Sequence, residues 1–282
     1  MSGVEPAKPL AILCGGGRLA LEAAHWARRN GRDVFMVGIV GSAAPEVEAF
    51  PHIWVRLGEL GKLFATLRER SIVDVAILGS VRRPEFSDLK LDWGAVRRAG
   101  EIARLFRGGD NSLLAGVARI FEREGLHIVG ARDFAPQMLA PAGVIAGRAP
   151  GGEAEADIAF GAALLRALSP FDVGQGAVVA HARVLAVEAA EGTDAMIARI
   201  AQMRASGRLR LKGRAGVFVK AAKRGQDMRL DLPAVGLETV EAAASAELAG
   251  LAIAAGEVLI ADRAGFIEAA EAAQLFVVGW AP

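Results

Sequence analysis

The sequence predicts an α/β protein of two domains, and three observations predict it. Short apolar runs alternate with helical repeats through the first 133 positions, a triple glycine follows the first of those runs, and an Ala-, Pro- and Gly-rich stretch leads into a second half where hairpin and helix patterns mix. Strands that alternate with helices pair in parallel through right-handed crossovers, so residues 1–134 are expected to form a Rossmann-like N-terminal domain. Residues 135–152 are expected to be a linker, and residues 153–282 a mixed α/β C-terminal domain.

Leu10–Cys14 reads as a strand, Gly15-Gly16-Gly17 as a turn, and Leu19, Leu21, Ala23, Ala24 and Trp26 as the apolar positions of a helix. Val34–Val40 is a second strand, Leu60–Leu67 a helix, and Val73–Leu78 a third strand that stops at Gly79-Ser80. Asp110-Asn111-Ser112 precedes the helical run Leu113–Glu124 and offers three capping side chains; Gly125 closes that helix and Leu126–Val129 is a further strand. In the second half Glu153–Leu168 is helical, and Ala177–Ala180 with Val184–Glu188 form a hairpin around His181-Ala182-Arg183. A helix starts at Thr193-Asp194 and runs to about Ala205, and Val217–Ala221 is a strand entering a polar loop. Glu238–Ala249 is helical, Leu251–Ala254 and Glu257–Ala261 are short strands, Phe266–Ala273 is helical, and Leu275–Val278 closes the chain as a strand.

Composition narrows the function. With 33 Lys plus Arg against 32 Asp plus Glu, the formal charge of +1 offers no general electrostatic case for nucleic acid as a partner. The single cysteine, Cys14, excludes an intramolecular disulfide and a multi-cysteine zinc site, and suits a reducing cytosol. The first nine residues lack the pattern of a signal peptide, and no apolar run approaches the ~18–20 residues that span a bilayer.

The candidate sites are local. Gly15, Gly16 and Gly17 suit either a phosphate or nucleotide loop or a plain tight turn, since the full G-x-G-x-x-G spacing and a ribose-binding acid after the second strand are both missing. Ser80, Arg82 and Arg83 follow the third strand, where open α/β sheets bind ligands, and the arginines can fork onto a phosphate or stand solvated. Glu188, Glu191 and Asp194 fall within seven residues at a strand-turn-helix junction, where carboxylates can hold Mg²⁺ or, in the plainer reading, cap a helix and face solvent. Lys220 to Pro233 is the densest stretch: Lys220, Lys223, Arg224, Gln226, Asp227, Arg229 and Asp231 supply both signs of charge behind a strand. Phosphoryl chemistry needs cations for the phosphate oxygens and carboxylates for a metal or a water. The four histidines show no metal-ligand spacing, and Ser80 lacks a nucleophile-elbow context.

Taken together, Gly-Ser-Val-Arg-Arg-Pro (79–84), Gly-Asp-Asn-Ser-Leu-Leu (109–114), Phe-Glu-Arg-Glu-Gly (121–125), Asp-Val-Gly-Gln (172–175), Ala-Val-Glu-Ala-Ala-Glu-Gly-Thr-Asp (186–194) and Lys-Ala-Ala-Lys-Arg-Gly-Gln-Asp-Met-Arg-Leu-Asp-Leu-Pro (220–233) resemble the LpxI family of UDP-2,3-diacylglucosamine pyrophosphatases, in the family's order and over nearly the whole chain. Where the family usually has prolines, this chain has Ala222 and Arg224. The resemblance implies metal-dependent hydrolysis of UDP-2,3-diacylglucosamine to UMP and 2,3-diacylglucosamine 1-phosphate, in lipid A biosynthesis, with the substrate between the two domains. It implies Mg²⁺ or Mn²⁺ as cofactor, and work at the cytoplasmic face of the inner membrane by peripheral contact that the lipid substrate itself drives. A homo-oligomer is a base-rate expectation. Under this resemblance Asp227, Lys220 and Lys223 are the expected catalytic residues, with Asp227 either a metal ligand or the base that orients water. Glu188, Glu191 and Asp194 join Asp227 as expected metal ligands. Substrate contacts are expected from Gly15, Gly16, Gly17, Ser80, Arg82, Arg83, Asp110, Asn111, Ser112, Gln175, Thr193, Gln226 and Arg229. Two rival classes are an NAD-linked oxidoreductase, which lacks its ribose acid here, and a non-catalytic nucleotide-sugar or lipid-binding module.

Overall fold

The computed structural model describes residues 8–81, 92 and 110–282, side chains excepted at 110–112. Strand β1 (Leu10–Cys14) is buried at all five positions, as a strand covered on both faces must be, which is why it reads as an unbroken apolar run. It lies between β2 (Val34–Ile39) and β4 (Asp74–Leu78). β3 (His52–Val55) flanks β2, β5 (His127–Ile128) flanks β4, and every pairing is parallel. The order β3-β2-β1-β4-β5 turns back on itself between β1 and β4, so the carboxyl ends of these two strands bound the crevice where doubly wound sheets receive ligands. Helix α1 (Leu19–Arg29) buries Ala20, Ala23, Ala24 and Ala27 at helical spacing, and α2 (Leu60–Glu69) buries Leu63, Phe64 and Leu67. Phe64 meets Phe121 of α3 (Asp110–Arg123) edge-on, with ring centres 5.2 Å apart. Asp110, Asn111 and Ser112, expected ahead of the helix, lie within α3. A short helix, α4 (Ala131–Phe134), follows β5.

A second sheet, of mixed sense, has the order β6-β13-β11-β9-β7-β8. Its parallel centre is β9 (Val217–Lys220), β11 (Gly250–Ala254) and β13 (Phe276–Trp280). One edge carries β6 (Gly143–Ala146) antiparallel to β13, and the other the hairpin of β7 (Gly176–Ala180) and β8 (Arg183–Val187), with β7 antiparallel to β9. β10 (Ala234–Val235) and β12 (Leu259–Ile260) pair by themselves. Helices α5 (Gly152–Leu168), α6 (Thr193–Ala205), α7 (Leu237–Ser245) and α8 (Arg263–Ala272) accompany this sheet. Its core includes Phe218, Met196, Ile197, Ile200 and Phe266, all fully buried.

The chain divides into two compact units, residues 1–137 with 227–231, and residues 138–226 with 232–282. Two boundaries therefore differ from the sequence expectation. The stretch expected as a linker contains β6, because its glycines and prolines shape an edge strand whose partner is β13. Residues 227–231, expected within the C-terminal domain, belong to the first unit because Leu230 is buried in its core beside Leu126, Ile128 and Phe121. No helix among the described residues is long and apolar enough to cross a membrane.

One buried acid organises the hairpin. The turn residues His181 and Ala182 both have positive φ, 52° and 55°, although neither is the Asn, Asp or Gly that such turns favour. Asp157 of α5, only 3% exposed, accepts their backbone N–H groups at 3.1 and 2.7 Å, and the His181 ring contacts Glu153 on the same helix. Asp157→Ala is expected to lower stability by about 2–4 kcal/mol in urea unfolding, since two charge-assisted bonds go and two N–H groups lose their acceptor. Asp157→Asn, with one acceptor oxygen left, falls between; an unchanged midpoint in the alanine variant would show that the turn stands without this acid.

Candidate functional site

In the second unit the site forms where β9 ends beside the start of β7. Lys220, the last residue of β9, is 3% exposed because it lies opposite Gly176 in a sheet covered by α5 and α6. Its ammonium donates to Thr193 Oγ1 at 2.5 Å, and Thr193 in turn donates to Glu188 Oε1 at 3.0 Å. The other carboxylate oxygen, Glu188 Oε2, is buried without a hydrogen-bond partner and stands 3.6 Å from Lys220 Nζ, so charge attraction alone balances it. Two glycines make room for this acid. A Cβ on Gly174 would lie 2.2 Å from the Glu188 carbonyl oxygen, and one on Gly176 would lie 2.7 Å from Glu188 Oε2. The loop after β9 folds back on the same place. Gln226, 8% exposed, accepts from Gln175 Nε2 at 2.9 Å and from the Lys223 N–H at 3.0 Å, while Lys223 Nζ donates to Asp172 at 2.5 Å.

Lys220, Lys223, Gln175, Gln226, Thr193 and Glu188 are thus brought together as six of the expected residues, and Asp172 joins them. Asp172 was legible within its motif but given no role, because the partner it needs lies 51 positions away. Two ammonium groups, two amides and a hydroxyl at one sheet end can bind a polyanion such as a pyrophosphate.

The first unit holds the other candidates. At the ends of β1 and β4, Gly15 N–H donates to Leu78 O at 2.9 Å, and Gly16 exchanges both backbone bonds with Ser80, at 2.6 and 3.0 Å. A Cβ on Gly15 would lie 2.5 Å from Ser80 O, and one on Gly79, whose φ is +90°, would lie 2.6 Å from Gly16 O. These glycines therefore let two loops pass in contact, and the Gly15 and Gly16 N–H groups expected to cradle a phosphate are already hydrogen-bonded. Gly17, with φ +85° and open space around its α-carbon, retains the freedom expected of it. Arg82 and Arg83 lie outside the described residues, as do the side chains of Asp110, Asn111 and Ser112.

Residues 227–231 form a tight turn in which Leu230 and Asp231 N–H groups donate to Asp227 O. Arg229 grips the Asp227 carboxylate with Nε at 3.0 Å and Nη2 at 2.7 Å, and reaches Glu122 of α3 with Nη1 at 3.2 Å. That guanidinium holds the Asp227 carboxyl below the usual carboxylate range, and Asp227 holds Arg229 protonated in return. Gly130 admits the turn: a Cβ there would lie 3.1 Å from Arg229 Cα. A base works best with a pKa near the operating pH, so this carboxylate, held ionised at neutral pH, is suited to orienting a water or a cation rather than to carrying its proton away.

Each of the four carboxylates expected to hold Mg²⁺ or Mn²⁺ already has another partner. Glu191 pairs with Arg199 at 3.0 Å, Asp194 accepts from Thr239 at 3.2 Å and Glu188 is packed against Lys220, while Asp227 is held by Arg229 at 2.7 Å. Among the described residues no three His, Cys, Asp or Glu side chains come together as a metal site. Residues near in sequence diverge here because each takes its own partner: Lys220 for Glu188, Arg199 for Glu191 and Thr239 for Asp194. Cys14 is a buried thiol pushed up to about 11 by desolvation, which disfavours the thiolate that a nucleophile needs.

Comparison with known proteins covers both units. Residues 9–138 match the family described as LpxI N-terminal domain, and residues 141–278 the family described as LpxI C-terminal domain. The UDP-2,3-diacylglucosamine pyrophosphatase LpxI of Caulobacter vibrioides is 38% identical over 275 residues, which is 98% of each chain. Among solved structures, a UDP-glucose-4-epimerase from Stenotrophomonas maltophila is 11% identical at a TM-score of 0.30, covering 72% of this chain and 63% of its own. A GalE-like L-threonine dehydrogenase from Cupriavidus necator is 15% identical at a TM-score of 0.30, covering 97% and 89%. Likenesses that slight carry no argument about this chain.

Proposed function

The chain belongs to the LpxI family, and from that premise we propose that it hydrolyses the pyrophosphate of UDP-2,3-diacylglucosamine to UMP and 2,3-diacylglucosamine 1-phosphate. The observation that carries the reading is the 38% identity, along 98% of both chains, to the Caulobacter pyrophosphatase. The chemistry of the site supports it. A pyrophosphate repels an attacking water until its charge is neutralised, and the ammonium groups of Lys220 and Lys223 supply two positive charges, one of them in surroundings from which water is excluded. Gln175 and Gln226 hold the loop that carries Lys223, so the second cation is fixed before substrate arrives. Asp227, kept ionised by Arg229, orients the water that adds to the sugar-side phosphorus. The bond from that phosphorus to the bridging oxygen breaks, UMP takes the electron pair, and the water's proton passes to solvent. UMP leaves as a phosphate, an anion stable enough to need no general acid. A substrate with two acyl chains puts the work at a membrane surface, which we take to be the cytoplasmic face of the inner membrane.

The test is UMP release from UDP-2,3-diacylglucosamine, with UDP-N-acetylglucosamine as the unacylated control, each with and without EDTA. Cleavage of the acylated substrate alone is the expected result; tight binding without cleavage would make the protein a binding module. Chelation is expected to stop release and Mg²⁺ or Mn²⁺ to restore it. Because Glu191 and Asp194 have other partners, Glu191→Gln and Asp194→Asn are expected to keep that metal response unchanged. A raised metal requirement in either would return these acids to the metal site.

A further inference from the structure

One surface of the second unit stands apart from the site in charge and exposure. Residues 204–214 contain Arg204, Arg208, Arg210, Lys212 and Arg214 and no acid, so against a whole-chain charge of +1 everything else sums to −4. Arg208, Arg210, Lys212 and Arg214 are exposed, and the first three have no ion pair among the described residues, whereas Leu209 is buried and Leu211 half-buried between them. The alternation seats the loop by its leucines and turns its cations outward. Arg204 fixes that presentation. Its guanidinium donates to the carbonyls of Gly213 at 3.1 and 3.2 Å and of Glu247 at 3.0 Å, pairs with the Glu247 carboxylate at 2.7 Å, and keeps its Nε buried without a partner. Beside the loop is a recess of about 450 Å³ lined by Arg204, Gly207, Arg210, Leu211, Ser245 and Glu247.

We propose that this loop is the docking surface for an anionic lipid bilayer, with the recess admitting headgroups. The choice of occupant rests on the reading that the substrate carries two acyl chains and must be collected from a membrane. Nucleic acid fits less well. No aromatic side chain lies between residues 204 and 216 on which a base could stack, and four outward cations are fewer than the phosphate contacts that hold a duplex at physiological salt. A cation near an anionic leaflet strengthens binding about fivefold, so a fixed row of them holds the protein at the surface before any substrate is found. On this proposal attachment does not depend on the lipid substrate alone, whereas the resemblance implies contact that the substrate drives.

The experiment is co-sedimentation of the full chain with vesicles of phosphatidylglycerol and phosphatidylcholine, against phosphatidylcholine alone, without substrate. The wild type is expected to bind only the anionic vesicles, less as salt rises, and Arg208→Gln, Arg210→Gln and Lys212→Gln combined are expected to weaken binding about 100-fold. UMP release by the triple variant from substrate in detergent micelles is expected to stay at the wild-type level, since these exposed residues lie outside the site. The proposal is overturned if the wild type ignores anionic vesicles, if the triple variant binds them equally well, or if a homopolymer RNA displaces the protein from them at stoichiometric amounts. Vesicle binding without UMP release would sink the hydrolase reading and leave the docking surface standing.

Discussion

Asp227→Asn is expected to abolish nearly all UMP release, lowering it about 100- to 1,000-fold, with a melting temperature near that of the wild type. The activity loss follows, under the proposed role, from removing the charge that orients the reacting water, a class of change that costs about 10²–10³ in turnover when one preorganised group is lost. The stability is spared because Asp227 is only half-buried and its partner Arg229 is exposed, where an ion pair contributes little. Arg229 makes a second test available. In the wild type the guanidinium depresses the Asp227 carboxyl, so under the proposed role the acid limb of kcat/KM is expected below the range of an ordinary aspartate. Arg229→Gln is expected to move that limb upward, toward the ordinary value. The linked stability has the same sign: a depressed carboxyl contributes above its unfolded value, and the contribution is lost as pH falls through the folded one. An Asp227→Asn protein with substantial turnover would remove this residue from the mechanism.

Lys220→Met is expected to remove activity and to destabilise the protein together. Lys220 and Glu188 have side chains 4% and 12% exposed, and deleting one member of such a buried pair costs about 3–5 kcal/mol because the other charge is left alone. The two effects separate in the double variant. Lys220→Met with Glu188→Gln neutralises the orphaned acid and is expected to regain most of the lost stability in urea unfolding, while UMP release stays absent. Recovery of turnover in the double variant would mean that Lys220 serves the fold and not the chemistry.

The strands at the centre of each sheet were legible because burial on both faces forces uninterrupted apolar runs, as in Leu10–Cys14, Val34–Ile39 and Val217–Lys220. The edges were not. His52–Val55 is four residues of mixed character, and Gly143–Ala146 hides among prolines and glycines; each is a strand only because a neighbour supplies hydrogen bonds. The site divides in the same way. Lys220, Lys223 and Gln226 cluster because the loop after β9 is local, and Gln175 joins them through a partner that the strand pairing brings near. Glu191 and Asp194 looked equivalent to Glu188 by spacing, yet a strand end and a helix start point neighbours toward different partners, Arg199 and Thr239. The glycine turn was correctly placed at a strand end, but its reason, backbone contact with Gly79-Ser80, depends on a strand order that spacing does not encode.

The place of Leu230 bears on how the chain comes to be folded during its own synthesis. The first unit is otherwise complete at Gln137, yet a core side chain of that unit is encoded 93 positions later. At ~5–20 residues per second a ribosome takes about 5–20 s to supply it, and in that interval the emerging half exposes the hollow that residues 227–231 will fill. A chain interrupted anywhere before Leu230 thus leaves its earliest-made core open, so truncation late in translation is felt at the beginning of the protein.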